Sequence, residues 1–293
     1  MSLKTRLRRA VYPLKLGGII TAHGRTLAPA IVITGASQGL GKAFAKQLSD
    51  IAIIVLVARH AADLEAAALE ITRSNPQAKV EWLALDVATD IAPTAIREFL
   101  DRNDLYLDVL INNAGTASGG RFDLQDAESV RRLIDLNVRG LVALTHAFLP
   151  DLRARQTGGI INLASVAAFT PGPWQALYFA SKSFVLSFSL ALAAENRDVY
   201  VPIMAAAPGP VETKIHRKMR TGFTWYRRLF PSSSPETCAA AIWSAFERGQ
   251  DLFVPGALNS LAAIAGKVFP VELITPITAW LVRPRFRSGR PAE

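Results

Sequence analysis

Short runs rich in valine, isoleucine and leucine alternate along this chain with longer segments of helical composition, and that alternation constrains the fold most. Residues 30–34, 53–58, 80–85, 107–111, 159–164, 200–205 and 252–254 read as strands. They lack strict apolar–polar alternation, as expected of strands covered on both faces. Residues 39–48, 61–73, 127–149, 177–196 and 235–248 read as helices. The expected class is α/β, a doubly wound parallel sheet with helices on both faces. At 293 residues, half of them hydrophobic, the chain has enough apolar material for one large domain.

The turn after the first predicted strand adds a chemical constraint. Thr34-Gly35-Ala36-Ser37-Gln38-Gly39-Leu40-Gly41 sets three glycines between a strand and a helix. Glycine lets the backbone turn tightly and approach a pyrophosphate, which then rests on the amide-rich start of the helix. A Rossmann-type sheet is the corresponding expectation. The spacing is G-x-x-x-G-x-G, not the common G-x-G-x-x-G, so the loop alone is a weak signal. The second strand ends in Ala58-Arg59, where an NAD site usually places a carboxylate. An arginine there accommodates a 2′-phosphate, so NADP(H) is expected over NAD.

Further along, Tyr178 and Lys182 stand four residues apart, thirteen residues and more after Ser165. On a helix, i and i+4 share a face. A lysine ammonium beneath a phenol favours its ionised form. A free tyrosine titrates near pH ~10, and bringing it down by roughly three units takes about 4 kcal/mol of local electrostatics. The lysine and a nearby cationic ring are the expected sources.

These motifs together resemble the short-chain dehydrogenase/reductase family, over about residues 30–255. Thr34-Gly35-x-x-x-Gly39-x-Gly41 matches its cofactor loop and Asp86-Val87 its adenine-contacting pair. Asn112-Asn113-Ala114-Gly115 matches the signature after its fourth strand, and Pro208-Gly209-Pro210-Val211-x-Thr213 the segment that closes over the nicotinamide. The resemblance implies a tetrad of Asn137, Ser165, Tyr178 and Lys182. Asn137 is to help hold a water on a proton path from the lysine, Ser165 to bond the substrate carbonyl, and Tyr178 to act as acid or base. It also implies cofactor contacts at Gly35, Ser37, Gln38, Gly39, Leu40, Arg59, Asp86, Val87, Asn113, Ala114, Gly115, Tyr178, Lys182, Pro208, Gly209, Val211 and Thr213. Two departures stand out: Gln38 occupies a position where NADP-preferring relatives often carry a base, and Ala164-Ser165 replaces a pair of serines.

The net charge of +9 is unevenly spread. Of 33 bases and 24 acids, the segments 1–29, 214–230 and 283–293 hold 16 and one, so the remainder carries 17 against 23. An acidic body with basic appendages suits phosphates of lipid headgroups or of a substrate, and no nucleic-acid module is recognisable. Residues 1–29 read as a basic extension, 30–256 as the cofactor-binding and catalytic domain with a lid insertion at about 214–235, and 257–293 as an apolar and basic extension. No stretch is an uninterrupted apolar run of spanning length; 257–282 comes nearest. The single Cys238 precludes an internal disulfide and reads as a packing residue, and no metal site is expected. Phe169, Trp174, Phe223, Trp225, Tyr226 and Phe230 lie in or near the expected mouth of the site. The function expected is therefore an NADP-dependent carbonyl reductase or alcohol dehydrogenase acting on an apolar lipid, steroid or acyl-like substrate. A cytoplasmic location, peripheral contact with an anionic membrane, and the homodimer or homotetramer implied by the resemblance complete the expectations. A catalytically silent, redox-sensing dinucleotide binder is the alternative from another class.

Overall fold

The computed structural model describes residues 18–20, 24–212 and 232–283. Among them, seven parallel strands make one sheet: β2 (Thr26–Thr34), β3 (Ile53–Ala58), β4 (Val80–Ala84), β5 (Leu105–Asn112), β6 (Gly159–Leu163), β7 (Ile203–Ala206) and β8 (Leu252–Phe253). The short β1 (Ile19–Ile20) pairs antiparallel with the start of β2. Helices α1 (Gly39–Leu48), α2 (Ala61–Ser74), α3 (Ala92–Arg102), α4 (Ala127–Ile134), α5 (Gly140–Arg155), α6 (Ala176–Glu195), α7 (Pro235–Glu247), α8 (Ala257–Val268) and α9 (Val271–Val282) complete the architecture. Most of the predicted lid and Thr213 lie outside the described residues.

The sheet buries both faces because its strands alternate sides at every residue. Ile31 and Ile33 pack in one core layer with Phe44, Leu48, Ile242 and Phe246 from α1 and α7. Val32 points the other way, into a layer with Ile96, Leu144 and Phe148 from α3 and α5. All eight residues of β5 are buried.

Three features differ from the sequence reading. First, β2 begins at Thr26, inside the segment read as an extension. Ala28 and Pro29 pair with Leu105 and Tyr106 of β5, and Arg25 is held by Asp101 at 3.0 Å and Asp104 at 2.6 Å. Arg25 is thus a neutralised edge residue, not part of a free basic arm. Second, α3 has no counterpart among the expected helices. Its buried residues Ala92, Ile96 and Leu100 recur every four positions, and Pro93 sits in its first turn, where a missing N–H costs nothing.

Third, the long helix expected over 127–149 is interrupted by a π-turn at Asp135–Arg139. Gly140, just past the break, packs so closely that a Cβ there would collide with the Val87 carbonyl. The wider turn carries Asn137 toward the site, as such insertions often do. Among the described residues, the one helix long and apolar enough to cross a membrane is α6. It packs across the sheet through Val185, Ser189 and Ala193, so its apolarity serves the core.

Candidate active site

Strand order β4-β3-β2-β5-β6-β7-β8 means the chain leaves β2 in one direction and returns to β5 on its other side. Loops at the carboxyl ends of β2 and β5 therefore diverge, opening a crevice. A cavity of about 960 Å³ occupies it.

The glycine loop is built by the approach of these two ends. Gly35 adopts φ +66°, and a Cβ there would lie 2.9 Å from Ala114 Cα. A Cβ on Gly41 would lie 2.5 Å from the Asn113 amide nitrogen. The Thr34 hydroxyl accepts from the backbone N–H groups of Asn113 and Ala114, both at 3.0 Å. Asn113 returns its side-chain amide to Thr34 O at 2.8 Å and Gly35 O at 3.2 Å. Asn113 is thus the clamp that holds the loop against β5. At the start of α1, Gln38 provides no side-chain cap and the first turn carries no acid. Its amides are left for an anion.

Ser37, Gln38, Gly39 and Leu40 line the same cavity, as do Gly35, Arg59, Asp86, Val87, Ala114 and Gly115. Arg59 is exposed at the end of β3, with no hydrogen bond or ion pair to the described residues. The Asp86 carboxylate has a partner that the sequence reading missed. Arg132 of α4 grips it through two bonds, 2.6 and 2.9 Å long, and the Ala88 N–H donates to it at 3.0 Å. Burial alone would raise the Asp86 pKa. Those bonds, with the charges of Arg132 and Arg59, outweigh burial and hold it below the ordinary carboxylate range.

On the other side of the crevice, β6 ends at Leu163 and delivers Ser165 into the cavity. The Ser165 hydroxyl accepts from Ala167 N–H at 3.2 Å, capping a short 3₁₀ turn over Val166–Phe169. Tyr178 and Lys182, one turn apart on α6, are both buried and both line the cavity. The Lys182 ammonium donates to Leu163 O at 2.6 Å and lies 6.0 Å from the Tyr178 ring centre.

The electrostatics run against the simplest sequence expectation. Burial pushes the Tyr178 phenol above its ordinary value, and a hydrogen bond from Ser165 only partly offsets the rise. Burial also brings Lys182 down, to about 8. A lysine whose pKa burial has brought down to about 8 is no longer a cation at the pH where so buried a phenol ionises, so the pair alone does not lower the phenol.

Asn137 does not line the cavity; it sits one layer behind. Its side-chain oxygen accepts from Thr116 N–H at 2.8 Å, and its amide donates to Thr116 O at 2.9 Å and Ser181 Oγ at 3.1 Å. Those side-chain bonds lock the Thr116 loop to α6.

Pro208, Gly209 and Val211 line the cavity after β7. The C-terminal helices are the larger correction, because the sequence reads there as an extension. Ala262, Ala265, Phe269, Ile274, Ile277 and Leu281 form an apolar wall of the cavity. Small residues let them approach: a side chain on Gly209 would collide with Asn259 of α8, and a Cβ on Gly266 would lie 2.6 Å from Phe169 O. Phe169 and Trp174 pack behind the wall, and the remaining four predicted mouth aromatics fall outside the described residues. Among the described residues no cluster of three metal-ligating side chains occurs.

This geometry is that of the short-chain dehydrogenase/reductase family, to which the chain belongs: the short chain dehydrogenase family profile matches residues 29–223. It is an oxidoreductase fold with its site at the sheet's switch point. The chain is 32% identical over 237 residues to an NADP-dependent 3-hydroxy acid dehydrogenase of Schizosaccharomyces pombe, covering 78% of this chain and 90% of that protein. It is 34% identical over 199 residues to a 3-ketodihydrosphingosine reductase of Bacteroides thetaiotaomicron, covering 68% and 67%. A short-chain dehydrogenase from Sphingobium yanoikuyae, solved in complex with NADPH, superposes with a TM-score of 0.71 at 29% identity, over 90% of this chain and 99% of that one.

Proposed function

We propose that this protein is an NADP(H)-dependent oxidoreductase that interconverts a carbonyl and an alcohol on an apolar substrate, with Tyr178 as the proton donor and acceptor. The observation that carries the reading is the convergence of Ser165, Tyr178 and Lys182 on one cavity that also reaches Arg59.

The residues fit a phosphorylated dinucleotide. Gly35 and Gly41 leave no room for side chains against β5, and the uncapped start of α1 offers amides to a pyrophosphate. Arg59 matches a 2′-phosphate in charge and hydrogen-bonding geometry. The S. pombe relative and the S. yanoikuyae neighbour, by their names, use NADP and NADPH, which supports the same preference here. When bound, the nicotinamide supplies or accepts the hydride.

The protein's own residues do the rest. Ser165, held by its turn, presents a hydroxyl to a substrate oxygen. Tyr178, kept protonated by burial, donates its proton as that oxygen becomes an alkoxide, and retrieves it in the reverse direction. Lys182, anchored on Leu163 O, supplies positive charge whenever it is protonated. With its pKa near about 8, it exchanges a proton at moderate cost near neutrality. Asn137 fixes the loop and helix that frame these groups. Phe269, Ile274, Ile277 and Leu281 make the wall of the cavity mainly apolar, with Thr278, Gln175 and Thr170 as polar exceptions, which favours a hydrocarbon-rich ketone. The sphingoid-base reductase among its relatives agrees with that preference.

The test is a panel of aliphatic, acyl and steroid ketones with NADPH and NADH, followed at the nicotinamide absorbance. Turnover is expected with NADPH, and Tyr178→Phe is expected to cut it by about 10²–10⁴-fold while leaving NADPH binding intact. NADPH binding with no turnover across the panel would overturn the reading in favour of a silent redox sensor.

A further inference from the structure

We infer that the α8–α9 hairpin docks on an anionic lipid bilayer and admits the substrate from it. The docking stands on the surface of the hairpin; the entry route rests also on the reductase reading above.

The two helices have two working faces. The inner face of α8 turns Ala262 and Ala265 to the cavity and buries Asn259 and Ala263. Its outer face carries Leu258, Leu261, Ile264 and Val268, spaced by three, three and four residues and 53%, 62%, 58% and 71% exposed. That spacing lines up one stripe of a helix. On α9, Leu273 and Ile277 form a second exposed pair one turn apart, and Phe269 stands exposed in the connection. Soluble monomers scatter exposed apolar side chains singly. Here nine occupy one hairpin, Val271 and Trp280 among them.

Three of the nine do both jobs. Phe269, Leu273 and Ile277 are more than half exposed and also line the catalytic cavity. The cavity therefore opens through its apolar wall, at the place where the outside of the protein is most apolar. A hydrocarbon chain leaving a bilayer there would pass from lipid to protein without crossing water.

Charge selects the occupant. From residue 257 onward the sequence holds five bases, Lys267, Arg283, Arg285, Arg287 and Arg290, against Glu272 and Glu293. A second copy packed on this face about a two-fold axis would bring like charges together. An anionic headgroup layer complements that net charge, and a sequence that joins bases to an exposed apolar stripe has the composition of an interfacial helix.

Leu261 and Ile264 lie on the outer stripe and do not line the cavity, so L261E/I264E tests the surface without touching the site. The full chain is expected to sediment with phosphatidylcholine–phosphatidylserine vesicles and more weakly with phosphatidylcholine alone. L261E/I264E is expected to lower that binding by about tenfold or more. Its turnover of a water-soluble ketone should match wild type, while its KM for a long-chain ketone dissolved in vesicles rises by about the same factor. Wild-type protein that stays in solution, or a variant that binds vesicles as well as wild type, overturns the docking. So does a concentration-dependent dimer, without lipid binding, that L261E/I264E dissociates. Vesicle binding without turnover of any ketone would leave the docking standing and remove the reductase reading and the entry route with it. Turnover without vesicle binding would do the reverse.

Discussion

Lys182 gives the sharpest test of how this site is assembled. Its folded-state pKa of about 8, against an ordinary 10.5, reflects burial of an ammonium in a low-dielectric setting. The interval corresponds to ~3 kcal/mol that folding spends at neutral pH to keep the group charged and buried. The folded value is the lower one, so the unfolded chain binds the proton more tightly. The penalty is therefore complete below about pH 8 and is relieved as pH rises toward 10.5. Lys182→Met removes the charge at similar length and leaves the Leu163 carbonyl without its 2.6 Å donor, a loss of about 1–3 kcal/mol. The net expectation at pH 7 is a variant as stable as wild type or up to ~2 kcal/mol more stable, with turnover largely abolished.

The pH dependence is the cleaner readout, because the carbonyl loss does not titrate. Urea unfolding, followed by tryptophan fluorescence, should show wild type gaining on the variant by about 2–3 kcal/mol between pH 7 and pH 10. A difference that stays flat across that range would refute the burial argument. So would a variant several kcal/mol less stable at pH 7 with intact turnover.

Other outcomes follow from single contacts. Arg59→Ala should raise the KM for NADPH by about 10–100-fold, the loss of one charge-assisted contact, and leave the NADH value nearly unchanged; steady-state kinetics with both cofactors checks it. Gly209→Ala should cost about 1–3 kcal/mol and loosen α8, because the new Cβ meets Asn259, and Gly209→Ala/Asn259→Ala should recover most of it in thermal unfolding. Arg132→Met should return Asp86 toward an ordinary carboxylate pKa. Wild type, whose Asp86 value is depressed, should hold a stability increment above the ordinary carboxylate range that fades as pH falls through the folded value, and the variant should lack it. Cys238, buried with its thiol pushed up to about 12, should resist a thiol reagent at pH 8 until the protein is unfolded.

Much of this architecture is legible in the order of the amino acids. The seven strands of the parallel sheet stand out there, because runs such as Val109–Ile111 and Ile160–Ile161 are apolar enough to be buried on both faces wherever the sheet lies. Thr34 to Gly41, Tyr178 and Lys182 are local patterns, and local patterns survive in the primary sequence. What escapes are residues whose role depends on a distant partner. Arg132 is an unremarkable base until α4 swings it against Asp86, and nothing local shows that Asn113, which lines the cavity, also clamps Thr34 and Gly35.

The order and chemistry of the motifs are thus determined by the sequence alone, since glycine spacing, strand apolarity and the Tyr178–Lys182 pitch follow from backbone geometry within a few residues. Only the tertiary structure decides the environment those motifs work in. It raises the Tyr178 pKa and lowers that of Lys182, because dielectric burial is a property of everything packed around a group. It turns a C-terminal stretch that reads as an appendage into a wall of the cavity, because the absence of a side chain at Gly209, which faces Asn259 of α8, and at Gly266 of α8, which faces Phe169, matters only once α8 lies against the domain.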